Sequence, residues 1–453
     1  MQNLSLKSIS KSISFMSSIT LLVVVLGVIT TKIIAIYGGL EVMGKLELYR
    51  KLIGVIVPIL AAGTGTIIVQ KISSSINDKN ISNVISATFF LIFLQLFVVV
   101  ILAVFFADDI SDWLFVNSNP NIKSTSEIRV VILMAYVVLI SQTFTALING
   151  TVNLKKVSIV NVSSALTTML ASYPLLFMDG LGVALLVGFG SIVGSIIAFY
   201  FVITIYKKNI SFVGFNIKGI LRSSPTSIWM VAHPLVVSTL LLYIPIVINN
   251  YYGLRALGLF SSVTIITSVV TMVLMSAMKT YFLPTLGKIQ GVDDKKIYIN
   301  KIIYLLLILI LPIIIFTMFF SKTLLFILFS EEFVVAYKLL TIQMISVLSA
   351  AFCWPYANYI LHNGDFKAYF IIDTIWALAL ASMIFYLAGK NYDLIIIPLI
   401  FVLGSLISMA LYFFAVTFMY GEGILSIKNL RLAIFSVLLI LLTSVSYTHL
   451  TLP

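Results

Sequence analysis

The chain has little charge. Only 10% of its 453 residues are Asp, Glu, Lys or Arg, against about a quarter in an ordinary soluble domain. That leaves too little polar surface to cover a water-facing exterior. There is one cysteine, Cys353, which excludes a disulfide framework and a cysteine-built metal site. All loops are short, so no soluble domain exists to carry a water-exposed active site. The sequence has no P-loop, no HExxH zinc motif and no Gly-x-Ser-x-Gly elbow, and we expect neither an ATPase nor a hydrolase, no cofactor and no bound metal. Acids are scarcer than bases, giving a formal net charge of +12. The Lys and Arg residues form short clusters between apolar runs rather than one basic face, which excludes nucleic acid as the partner.

Apolar residues are what the chain has in quantity: 61% of the sequence, with a mean hydropathy of +1.15. Its solvent must be lipid. A helix needs about 20 apolar residues to cross a bilayer. Runs of that length lie near 13–37, 47–71, 84–107, 128–150, 157–178 and 181–206, then near 225–250, 257–283, 300–321, 337–361, 368–388 and 394–419. The runs are too long for strands and do not alternate with period two. The expected class is an all-α integral membrane protein with twelve or more transmembrane helices. A last apolar run starts near 431 and stops with the chain at "LLTSVSYTHLTLP", which we expect to be a truncated or artefactual final span. The N-terminal "MQNLSLKSISKSISFMSS" lacks a small-residue cleavage site and reads as the cytoplasmic lead of the first span. With the N-terminus inside, the cytoplasmic segments hold 17 Lys and Arg residues and the outer ones 9, the bias the positive-inside rule requires. Acids gather outside, among them Asp108, Glu127, Asp179 and Glu331.

One loop is written twice. "YGGLEVMG" at 37–44 and "YYGLRALG" at 251–258 share Tyr-x-Gly-Leu-x-x-x-Gly at an offset of 214 residues. "LING" at 147–150 meets "LHNG" at 361–364 in the same register, and "GSIVGS" at 190–195 meets "GSLISM" at 404–409. Each of the first six spans, moved by 214, lands on one of the second six. The chain therefore reads as two six-helix lobes. An even number of spans in each makes them parallel repeats related by an axis along the membrane normal. The expected organisation is a lobe at 1–206, a cytoplasmic linker at 207–224, a second lobe at 225–420, and a cytoplasmic turn with the incomplete span at 421–453. Glycine at the repeated turns permits tight backbone reversal. Gly190 and Gly194, with Gly404 and Ser408, put small residues four apart for close helix packing.

Two six-span lobes, the repeated Tyr-x-Gly-Leu turn and the Asn-Gly turns after spans four and ten resemble the MOP flippase superfamily. Within it the chain is similar to the polysaccharide-transport branch and its O-antigen flippases of the Wzx type, including the acidic and aromatic loop "LFSEEFVVAYKLL" after span nine. The resemblance covers about residues 10–420 and rests on pattern and topology. It implies alternating access and movement of undecaprenyl-pyrophosphate-linked oligosaccharide across a bacterial inner membrane. Implied partners are that lipid-linked substrate, the bilayer, a coupling proton or sodium ion, and the O-antigen polymerase and chain-length regulator.

Such a substrate calls for cations to hold phosphate and a polar, aromatic-lined cleft for sugar. Lys279 late in span eight, His233 early in span seven and Asp373 early in span eleven are ionisable and lie within spans; their repeat partners are Gly65, Ile19 and Ile159. The functional reading gives Lys279 the phosphate, Asp373 a pairing or proton-accepting role, and His233 a titration near neutral pH. The structural reading has Lys279 snorkelling, Asp373 favoured at a helix start and His233 bonded to a carbonyl. Lys32 is a further candidate, with snorkelling as its alternative. Gln142 and Asn149 in span four, and Gln343, Tyr356 and Asn358 in span ten, can bind sugar hydroxyls or bond between helices. Glu47 and Lys51 at i,i+4 read as a local surface ion pair. Prolines within spans, from Pro58 to Pro398, are expected to bend their helices.

Two rivals stand beside the flippase. A MATE-type drug or cation exporter usually carries an acid in its first or seventh span; 13–37 and 225–250 contain none. An O-antigen polymerase needs a large outer loop with catalytic residues, and the longest here, near 108–127, is short.

Overall fold

The computed structural model describes residues 6–61, 64–74, 78–115, 125–151, 153–207, 228–390 and 392–421. The expected linker at 207–224 and tail at 421–453 fall almost wholly outside them. Among the described residues there is no strand. This is what lipid dictates: without water to satisfy the backbone, each span must close its own hydrogen bonds as a helix.

The helices are α1 (Leu6–Ala61), α2 (Thr64–Ser74), α3 (Asp78–Phe105), α4 (Ala107–Leu114), α5 (Thr125–Gly150), α6 (Leu154–Leu176), α7 (Asp179–Leu186) and α8 (Phe189–Tyr206). Then come α9 (Ile228–Lys288), α10 (Val292–Phe319), α11 (Ser321–Leu328), a 3₁₀ turn at Glu331–Ala336, α12 (Tyr337–His362), α13 (Phe366–Ala388) and α14 (Ile396–Tyr420). Among the described residues, ten helical stretches are long and apolar enough to cross a membrane. Two of them, of 44 and 45 residues, are each twice a crossing length and are interrupted inside α1 and α9. The ten stretches therefore hold twelve crossing-length limbs.

The interruptions answer the repeated loop. Gly39 has φ 68° and ψ −165°, and Gly253 has φ 82° and ψ 170°. This backbone region is essentially confined to glycine. Pro58 lies in the helical limb of α1 after Gly39, and Pro174, Pro312 and Pro355 lie within helices that have no such break, while the non-helical backbone inside α1 and α9 is at glycine.

The 214-residue register runs through the helices. Shifted by 214, α3 becomes α10 and α4 becomes α11, end for end; α5, α6 and α8 land on α12, α13 and α14. The packing repeats as well. In one set α3 and α8 pack on α5, and α6 on α8; in the other α10 and α14 pack on α12, and α13 on α14. Gly190 of α8 lies against Ser164 and Thr168 of α6, and its counterpart Gly404 of α14 lies against Leu380 of α13. The Asn-Gly match is looser. Gly364 takes a positive φ of 83° in open space, whereas Gly150 is helical and gives room to Ile72, whose Cβ would lie 2.8 Å from an added Cβ.

The chain divides into two compact units, residues 1–250 and 251–453. In the first, the limb of α1 after Gly39 and then α2 run beside α5, from Lys45 against Glu127 at its start to Ile72 against Gly150 at its end. Ile72, Ile85, Phe144, Leu147, Val160 and Val202 join the core at that end. In the second, α12 is the most enclosed helix, with Leu340, Met344, Leu348, Phe352 and Tyr356 all 0% exposed.

Candidate functional site

The second unit holds a carboxylate at the junction of three helices. Asp373 of α13 accepts a hydrogen bond from the Tyr412 hydroxyl of α14 at 2.9 Å, and from the hydroxyl of Tyr369 one turn before it on α13. Tyr412 is 3% exposed. One turn before Tyr412, the Ser408 hydroxyl donates to Cys353 Sγ of α12 at 3.7 Å. Tyr356, next on the same face of α12, is fully buried and its hydroxyl has no partner among the described residues. Even a half-buried carboxylate in an apolar bundle is costly unless it accepts hydrogen bonds or pairs with charge, and two phenols supply donors here.

A second pair sits two turns away. Asp365, at the start of α13, accepts from the Tyr420 hydroxyl at the end of α14, and the Tyr359 ring meets the Tyr420 ring edge-on at 5.0 Å. Residues 365 and 373 are eight apart, as are 412 and 420, so the two pairs form rungs between antiparallel helices. The rungs fix the register of α13 on α14 and the height of Asp373.

The other predicted residues fall on several elements. The limb of α9 after Gly253 carries Lys279 and belongs to the second unit, but the Lys279 side chain lies outside the described residues. His233 belongs to the first unit. Lys32 is half-buried on the first limb of α1. Gln343 is buried; its Nε2 donates to Ser346 Oγ at 3.4 Å, and its Oε1 has no partner among the described residues. Asn358 donates to the Trp354 carbonyl one turn back at 2.8 Å, a bond within its own helix. Gln142 and Asn149 are exposed on α5. At about 100° per residue they share one face, a polar stripe on an apolar helix.

A cluster in the first unit escaped the sequence reading. Lys45 Nζ lies 2.8 Å from Glu127 Oε2 and 3.0 Å from Oε1, and the Tyr49 hydroxyl donates to the same carboxylate. Tyr49 is 0% exposed and the Glu127 side chain 8%. Gly180 closes the site from α7, where an added Cβ would collide with the Glu127 carboxylate. Glu127 lies within about 60° of Gln142 and Asn149 around α5. Charge counting uses residues such as Lys45 and Glu127 only to orient the spans, and nothing in the sequence pairs residues 82 apart. The i,i+4 pair of Glu47 and Lys51 forms at 3.7 Å, but its carboxylate is buried, so it is not the surface pair expected. Among the described residues no three His, Cys, Asp or Glu side chains gather to hold a metal.

The sequence matches the family described as "Polysaccharide biosynthesis protein" over residues 9–290, more than half of the chain. No curated protein matches it. Among solved structures, it is similar to an inward-facing multidrug resistance MATE family transporter of the MOP superfamily, with a TM-score of 0.71, 14% identity, and 87% of this chain and 94% of that one covered. It is similar to the lipid II flippase MurJ in an inward closed conformation, with a TM-score of 0.69, 15% identity, and 96% and 99% covered. A MOP superfamily transporter from Pyrococcus furiosus is similar at a TM-score of 0.56 and 13% identity, with 88% and 96% covered.

Proposed function

Because the chain belongs to the polysaccharide biosynthesis protein family and has the fold of MOP-superfamily transporters, we propose that it is a flippase for lipid-linked oligosaccharide. Its substrate in this reading is an O-antigen unit on undecaprenyl pyrophosphate. It carries the unit across the bacterial inner membrane by alternating access, with its N-terminus in the cytoplasm. The family match carries the reading. The acid-free spans 13–37 and 225–250 favour it over a MATE-type exporter.

In this account the polyprenyl tail stays in lipid while the pyrophosphate and sugar cross through a polar path. Lys279 meets the phosphate as a point charge. Asp373, held by Tyr369 and Tyr412, takes the coupling proton or sodium ion. A carboxylate whose partners are phenols can release one donor to water or to an ion without leaving a stranded buried charge. Gln142 and Asn149 offer amides to sugar hydroxyls from an exposed face, and Gln343 and Tyr356 each hold a polar atom without a partner among the described residues. His233, Lys32 and Asn358 remain candidates on the same reasoning. The O-antigen polymerase and chain-length regulator are the partners that would receive the flipped unit.

The test is deletion of the gene in its native strain, with a lipopolysaccharide gel and a count of lipid-linked oligosaccharide facing the cytoplasm. The reading expects loss of the O-antigen ladder and accumulation of cytoplasm-facing precursor, both restored by the gene. An unchanged ladder with altered drug sensitivity would assign export instead. Single repeat units at the surface without long chains would assign a polymerase.

A further inference from the structure

The first turns of α10 carry polar chemistry on a side of the helix that packing leaves open. Lys296, Ile297, Asn300, Lys301 and Tyr304 line a shallow hollow of about 320 Å³. At about 100° per residue, Ile297, Lys301, Tyr304 and Ile308 fall in one stripe. Ile297, Tyr304 and Ile308 are 54%, 53% and 45% exposed, and Lys301 is exposed as well. The opposite side of α10 is closed: Ile299, Ile303, Leu306, Ile310 and Ile314 are all 0% exposed, on a helix that packs against α12. On a helix long and apolar enough to cross a membrane, an open side of this composition is suited to lipid.

Along that side the chemistry changes in order. Two ammonium groups and an amide come first, then a phenol, then aliphatic side chains. This is the order a phospholipid presents from headgroup to acyl chain, and tyrosine is favoured at the boundary between the two. The fold does not demand the lysines. The counterparts of Lys296, Lys301 and Tyr304 in α3 are Ser82, Ala87 and Phe90, on a helix of the same length in the same register. Lys296 keeps only 19% of its side chain exposed and lies 3.3 Å from Asp293, itself 91% exposed. A pair with so wet a carboxylate binds weakly, so a phosphate can take the ammonium.

We propose that this hollow binds the phosphate headgroup of an anionic membrane glycerophospholipid. Lys296 and Lys301 hold the phosphate, Tyr304 sits at the level of the glycerol, and one acyl chain follows the stripe past Ile308. Basic pockets beside transmembrane helices suit such headgroups. The proposal is independent of the flippase reading and stands or falls on lipid binding alone.

The test is native mass spectrometry of the full chain in detergent, titrated with phosphatidylglycerol and with phosphatidylcholine. The wild type should retain phosphatidylglycerol in preference. Lys301→Gln should weaken it about fivefold, and Lys296→Gln with Lys301→Gln about thirtyfold. Asp293→Asn should act in the opposite sense and tighten it, which separates a lost site from a misfolded variant. Equal retention of the two lipids, or a double variant that binds like the wild type, would overturn the proposal. So would displacement of phosphatidylglycerol by equimolar undecaprenyl pyrophosphate, which would give the hollow to a polyprenyl phosphate.

Discussion

Lys45 and Glu127 form the best-defined ion pair among the described residues, and removing one partner should cost more than removing both. Their side chains are 16% and 8% exposed, with a closest N–O distance of 2.8 Å. Two unit charges that close attract by about 5–6 kcal/mol at an effective dielectric near 20, and desolvation of both groups offsets much of it. Breaking a buried pair from one side typically costs about 3–5 kcal/mol, because the other charge is left unpaired. Lys45 retains some access to solvent, so Lys45→Met, which strands the more buried Glu127, should cost the upper part of that range. Glu127→Gln keeps an acceptor for Tyr49 and frees only the wetter lysine, so about 2–3 kcal/mol is expected. The double variant should cost less than Lys45→Met alone, and so fall short of the sum by more than about 3 kcal/mol. The assay is a double-mutant cycle on the purified protein, read as denaturation in mixed detergent micelles. Additive single effects, or a Lys45→Met variant as stable as the wild type, would refute the reasoning.

Gly39→Ala and Gly253→Ala should each destabilise by about 1–3 kcal/mol through backbone strain; Gly253 has open space around it, so relief by repacking would not appear in its melting curve. Gly190→Ala should be worse than Gly404→Ala, because the first drives a Cβ onto the Ser164 carbonyl and the second only onto the flexible end of Leu380; thermal melts of the two variants compare them directly. Asp373→Asn should lower transport at least tenfold while Tyr412→Phe keeps part of it, since Tyr369 still donates to the carboxylate; full transport by Asp373→Asn would remove Asp373 from the site. Lys279→Ala should lose transport at normal expression and Lys279→Arg retain a fraction, measured by complementation of the O-antigen ladder.

Much of the architecture was legible because lipid imposes a simple rule on the sequence. Apolar runs of crossing length mark helices, and a repeated glycine marks a backbone conformation that few other residues adopt. The offset read from Gly39 and Gly253 proved true of helix ends such as Asp78 and Val292 that share no residue type. The Asn-Gly match shows the limit of such reading: Gly150 and Gly364 agree in letter but not in backbone, since one is required for space and the other for φ. The candidate site was legible only in part. Asp373 stands out as an acid in an apolar run, but its phenol partners depend on the register of α13 against α14, which periodicity does not encode. Lys45 and Glu127 were visible as charges near span ends, yet their pairing is set by how α1 turns at Gly39 beside the start of α5. Gln142 and Asn149 were singled out by polarity, and their common face on α5 could have been drawn from helical spacing alone.

The central claim is transport of a lipid-linked sugar, and reconstitution tests it most directly. The purified chain would be placed in proteoliposomes with a fluorescent undecaprenyl-pyrophosphate oligosaccharide, and an impermeant quencher added outside. The account predicts that the quenched fraction rises from about half towards completeness in the presence of protein, and that Asp373→Asn slows this rise. No added quenching with wild-type protein, in vesicles where the same protein exports a cationic dye, would contradict it.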